Sequence, residues 1–204
     1  MKQSGDTVKR LSLELGGNAP FVVFDDIVGK TTDDGEPMLD LAVRAAIASK
    51  FRNAGQTCVC ADRFLVHSSI HDEFVEKLTE KVKSTIVVGP GLDKQTTMGP
   101  LITAASVTRI HARVTTAVEK EGATCVVGGN PLSDLGPQFY QPTILTNVSP
   151  SSDIWREETF GPVLSIIRFD TEEEALELAN DCNVGLAAFF MTTDLSRSFR
   201  FSKQ

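Results

Sequence analysis

Two side chains stand out for the chemistry they could do together. Cys58 lies in the stretch FRNAGQTCVC, residues 51–60, and Glu14 lies upstream in LELGG. A thiol can attack a carbonyl carbon, and a carboxylate can take a proton from water. Paired, they suggest covalent catalysis through a thioester. Each also has an ordinary reading. A cysteine is more often a buried structural residue than a nucleophile. A glutamate on an alternating strand is more often simply solvated.

The neighbours of these two residues sharpen the picture. The small polar turn AGQT before Cys58 favours access to the sulfur, and Gly16-Gly17 after Glu14 allows close backbone approach. Arg52, at the end of a helical stretch, complements the helix dipole or clamps an anionic substrate group beside the nucleophile. Cys58 and Cys60 together do not read as a metal site. Cys125 and Cys182 sit in other elements, and no C-x-x-C or H-x-x-x-H accompanies them. Cys58 lies past a helix C-terminus, where the dipole opposes a thiolate, so its activation is expected to come from outside this segment.

The elements that must position these residues alternate between strand and helix. Strands are expected at KRLSLEL ending at Leu15, at residues 19–24, 63–68 and 163–169, and in ATCVVGG, FYQPTILTNV and GLAAFFMTT. Helices are expected from Met38 to Arg52, from a Ser69 cap to Ser84, and from Thr103 to Glu121. Two more are expected after a Thr171/Glu174 capping box and in LSRSFRFSKQ. The first of these is apolar on nearly every side and should be buried, with Gly55 as its left-handed stop. Glu73 and Lys77 stand at ion-pair spacing. The alternation predicts an α/β fold: an open, mostly parallel sheet with helices on both faces.

Composition narrows the function. A net charge of −7 and a hydrophobic content of 41% describe an acidic chain with enough apolar residues for a real core. The scattered basic residues argue against a nucleic-acid partner, and no apolar run reaches membrane-spanning length. Four cysteines in 204 residues do not make a disulfide scaffold, so an intracellular, reducing compartment is expected, cytoplasmic or mitochondrial. No G-x-G-x-x-G or phosphate-loop pattern is present, so the main cradle of any nucleotide lies elsewhere.

LELGGNAPFVVFDD, FRNAGQTCVCADRFLV, MGPLI, QPTIL, EETFGPVLSIIRF and NVGLAA follow one another in that order. Together they closely resemble the aldehyde dehydrogenase superfamily, and the long cysteine stretch is most similar to its succinate-semialdehyde-oxidising branch. The resemblance implies that Cys58 is the nucleophile and Glu14 the base for deacylation. Leu15 and Gly16 would lie near the nicotinamide of NAD or NADP. Glu158 would hold the nicotinamide ribose, with Phe160 supporting the cofactor. Arg52 would contact the substrate carboxylate, and Cys60 would be a reversible oxidative partner of Cys58. Acylating relatives that use coenzyme A lack the glutamate, so hydrolysis to the free acid is expected.

The resemblance also implies a division of the chain. Residues 1–15 would close a cofactor-binding domain, and residues 16–204 would form a catalytic domain without its C-terminal part. An upstream oxyanion-donating asparagine and a cofactor-binding lysine fall outside the chain, as does a strand that pairs subunits into a homodimer or homotetramer. The 204-residue chain alone is therefore expected to have little or no dehydrogenase activity. Two other readings compete: a non-catalytic interaction remnant, and a Cys58/Cys60 redox module without a nucleotide. Neither needs Glu14 or Glu158.

Overall fold

The computed structural model describes residues 2–204. Its centre is a six-stranded sheet in the order β3-β4-β5-β2-β1-β6. The strands are β1 (Ala19–Val23), β2 (Ala61–His67), β3 (Thr124–Val127), β4 (Thr143–Thr146), β5 (Val163–Phe169) and β6 (Phe189–Met191). Only the β3–β4 pair is antiparallel. β1, β4 and the first six residues of β2 are buried throughout, as sheets covered on both sides require.

Helices α1 (Met38–Phe51), α2 (His71–Thr85), α3 (Ala104–Lys120), α4 (Asp153–Arg156), α5 (Glu172–Asn180) and α6 (Leu195–Phe201) make the crossovers and the covering layers. The β1-α1-β2 crossover steps one way along the sheet, and β5-α5-β6 steps the other. Right-handed crossovers travelling in opposite directions place α1 and α5 on opposite faces. The core between them includes Phe21, Phe64, Leu65, Ile166 and Trp155, all at 2% exposure or less. Each such side chain contributes roughly 1.5–3 kcal/mol by leaving water.

Three local expectations are corrected. Residues 9–15 form no strand; they run irregular and exposed, with Leu11, Leu13 and Leu15 facing outward. The alternation is real, but no neighbouring strand among the described residues pairs with it. Ser69 does not cap α2, whose N-cap is Ile70. Lys77 bonds Asp40 of α1 at 2.8 Å, so its ion pair ties two helices instead of bracing one. Of the Thr171/Glu174 box, the first bond forms, Thr171 Oγ1 accepting from the Glu174 N–H, whereas the Glu174 carboxylate accepts from the Asp170 N–H, one residue before the N-cap. The short helix α4 was not foreseen.

Candidate active site

α1 ends at Phe51, and the chain reverses at once. Asn53 and Ala54 take left-handed backbone angles (φ 52° and 54°), followed by Gly55 at φ 74°. Only glycine fits that last position: a Cβ there would lie 2.1 Å from the Gly161 carbonyl oxygen. Asn53 and Gln56 then exchange two side-chain bonds at 3.0 Å, each donating to the other's backbone carbonyl. Gln56 Oε1 also accepts from the Ile102 N–H at 2.8 Å. The glutamine thus ties the cysteine turn to the MGPLI segment, a role that sequence reasoning missed.

Cys58 sits half-buried in the turn that follows and Cys60 is 4% exposed; both are free thiols. Cys60 Sγ lies 2.8 Å from the Thr57 hydroxyl. Arg52 is exposed at the C-cap of α1 and makes no ion pair among the described residues.

The glycines after Glu14 dock this turn. A Cβ on Gly17 would stand 2.2 Å from the Cys58 carbonyl oxygen, so the two backbones are in direct contact. The Gly17 N–H donates to Glu158 Oε1 at 3.0 Å. A Cβ on Gly16 would lie 2.9 Å from the other carboxylate oxygen, Oε2. Residues 16 and 17 are therefore threaded between the cysteine turn and Glu158. Glu14 is exposed three residues upstream, and the reach of the chain keeps its Cα within about 11 Å of that of Gly17. Leu15, also exposed, lies between them.

Glu158 and Phe160 ride on a loop after α4. Phe160 is 37% exposed and holds φ at 48°, an unusual angle for an aromatic residue. Arg113 donates to the Glu158 carbonyl and Arg109 to the Thr159 carbonyl, each at 3.0 Å. Burial lowers the pKa of the Arg109 guanidinium, and neighbouring Arg113 lowers it further. Asn18, next to Gly17, donates to the Trp155 and Arg156 carbonyls at 3.0 and 3.1 Å. Arg63 reaches from β2 to the Asn18 carbonyl at 3.0 Å and to the carbonyls of Leu178 and Ala179 at 2.8 Å, at the C-terminal end of α5. A buried cation there meets the negative end of the helix.

The segments carrying Gly16, Cys58, Glu158 and Ile102 therefore meet at one place, although they are far apart in sequence. The aldehyde dehydrogenase family model matches residues 1–204. The chain belongs to the aldehyde dehydrogenase family. It is 47% identical over 199 residues to a succinate-semialdehyde dehydrogenase [NADP(+)] of Schizosaccharomyces pombe, covering 98% of this chain and 38% of that protein. To the NADP(+) enzyme of that name from Escherichia coli it is 47% identical over 200 residues, covering 98% and 39%. To the human mitochondrial succinate-semialdehyde dehydrogenase it is 45% identical over its whole length, covering 36% of the relative.

A solved Burkholderia pseudomallei succinate-semialdehyde dehydrogenase superposes with a TM-score of 0.89 at 46% identity, over 99% of this chain and 39% of that one. The chain thus spans well under half the length of these aldehyde dehydrogenases. No helix among the described residues is long and apolar enough to cross a membrane.

Proposed function

We propose that this chain is the thiol-bearing part of an enzyme that oxidises an aldehyde, succinate semialdehyde first among candidates, to its carboxylic acid. The observation that carries the reading is the contact of Gly17 with the Cys58 carbonyl on one side and the Glu158 carboxylate on the other. It supports the reading by docking the backbone three residues after Glu14 against the backbone of the cysteine turn. Residues 1–15 close the cofactor-binding domain in this reading, and residues 16–204 belong to the catalytic domain.

The residues present suit a nicotinamide cofactor. Gly16 packs directly against the half-buried Glu158 carboxylate, where a Cβ would stand 2.9 Å from Oε2, so the backbone approaches this acid as closely as only glycine allows. Glu158 would hold a ribose hydroxyl there, with Phe160, Leu15 and Gly16 flanking the ring. When bound, NAD or NADP supplies the hydride acceptor. NADP is favoured by the names of the yeast and bacterial relatives.

The chain's own residues do the rest. Cys58 Sγ adds to the aldehyde carbon, and the oxidised adduct is a thioester on the same sulfur. Glu14 takes a proton from water, which attacks the thioester carbonyl; the carboxylic acid forms and the Cys58 thiolate leaves. Arg52, exposed and unpaired by any acid among the described residues, receives the distal carboxylate of the substrate. Cys60 is the oxidative partner of Cys58. A peroxide-class oxidant would join the two sulfurs, with two electrons and two protons leaving the thiols, and the Thr57 contact would break. The complete protein works as a homodimer or homotetramer.

A chimera tests the reading: this chain replaces the corresponding part of the Escherichia coli relative. The chimera should reduce NADP with succinate semialdehyde, and Cys58→Ser should remove at least about a thousandfold of that rate. Turnover that survives the substitution in a folded chimera would overturn the assignment.

A further inference from the structure

Beneath the site lies a buried acid that neither the thiol chemistry nor substrate recognition uses. Asp62, in β2, is 3% exposed. Its Oδ1 pairs with the Lys50 ammonium near the end of α1, itself 0% exposed. Its Oδ2 accepts from the Thr159 N–H at 3.3 Å. One carboxylate therefore bridges the two ends of the cysteine loop and, with its second oxygen, the loop that carries Glu158. It also attracts the guanidinium groups of Arg63 and Arg109. Arg109 grips the Thr159 carbonyl while Asp62 grips its N–H, so both backbone polar groups of this 1%-exposed residue are held.

The residues on either side of Thr159 are Glu158 and Phe160. Phe160 keeps a left-handed angle that relaxes unless its surroundings fix it. A cheaper way to fasten α1 to β2 would be an apolar contact, because burying two charges is costly. The bridging geometry gives Asp62 a second task that an apolar residue cannot do.

We propose that Asp62 is a positioning residue: through Thr159 it sets where the Glu158 carboxylate and the Phe160 ring stand relative to the Cys58 turn. This rests on the reading that Glu158 faces the cofactor ribose. The inference concerns alignment, so it predicts a change in cofactor KM beyond any change in stability.

The test uses the chimera described above and four variants. Asp62→Ala leaves Lys50 buried without a partner and frees Thr159; it should lower Tm and raise the KM for NADP about tenfold or more. Asp62→Ala with Lys50→Met removes both buried charges. It should recover most of the Tm while the raised KM persists. Asp62→Asn combined with Lys50→Met keeps one oxygen for the Thr159 N–H with no ammonium competing for it, and should hold the KM within about threefold of the parent. Glu158→Gln is the control on the underlying reading and should itself raise the KM.

If Asp62→Ala with Lys50→Met restores KM together with Tm, Asp62 is only half of an ion pair and the proposal falls. A normal KM in Asp62→Ala would also overturn it. If Glu158→Gln leaves the KM unchanged, it is the cofactor reading that fails. Amide hydrogen exchange at Thr159 in the 204-residue chain gives an independent check. Exchange should quicken in Asp62→Ala with Lys50→Met and stay slow in Asp62→Asn with Lys50→Met; equal protection in both would contradict the bridge.

Discussion

Gly17 shows how much of this site depends on one missing side chain. Its Cα faces the Cys58 carbonyl so closely that a methyl group would land 2.2 Å from the oxygen. Gly17→Ala should push the thiol turn out of place, cost about 1–3 kcal/mol of stability and lower kcat in the chimera. Unchanged kcat and Tm would show that the turn yields freely. Arg52 supports a prediction of a different kind. Its substitution by leucine should raise the KM for succinate semialdehyde about tenfold to a hundredfold, as loss of a charge-assisted contact does. The KM for the uncharged aldehyde propanal should hardly change. Equal effects on both substrates would remove Arg52 from the carboxylate-binding role. The roles proposed for the thiol, the acid and this arginine come from the resemblance of their motifs to the family; as residue types alone, each also has an ordinary structural reading. Gln56, Asp62 and Lys50 were not legible in the sequence. Lys50 stands in a helix that reads as apolar on almost every side, and its partner lies across an entire loop. Pairings of that kind follow from the fold and leave no local pattern.

At the scale of elements, the strongly patterned segments behaved as their chemistry dictates. β5 is VLSIIRF, and α3 stops at Gly122, which takes φ 81°. The failures share one cause. Residues 9–15 alternate like a strand, but a strand needs a neighbour, and these residues find none among the described ones. Lys77 prefers Asp40 on the adjacent helix to Glu73 on its own turn. Packing between elements overrides local spacing.

The junction of β2 with α2 adds a pH-dependent prediction. His71 is 3% exposed, and its Nε2 has no hydrogen-bond partner among the described residues. Burial pushes its imidazole below the usual range, against the pull of Asp72; Arg168 depresses it further. The unfolded chain therefore binds the proton first, near pH 6.5. Stability is fully present above that pH and is lost as pH falls toward the folded pKa. Denaturation midpoints of the wild-type chain should fall from pH 7.5 to 5.5, and His71→Leu should flatten the decline. An equal slope in both would clear His71 of the effect.

At the scale of the whole molecule, the chain carries one coherent sheet and one meeting point of motifs, within relatives whose length is more than twice its own. The leucines at 11, 13 and 15 are exposed, in the irregular stretch that precedes Gly16 and Gly17. The 204-residue polypeptide on its own should reduce no measurable NADP, whereas the chimera should. Substantial reduction by the polypeptide alone would mean that it holds a complete site. In the proposed reaction, the acid at position 14 releases the acyl group carried by the thiol at position 58. Rapid mixing of the Glu14→Gln chimera with succinate semialdehyde and NADP measures this directly. A burst of reduced cofactor close to one equivalent per site should appear, then a stall, with the acyl group found on Cys58 by mass spectrometry. Steady turnover at the parent rate, with no acyl group on that sulfur, would contradict it.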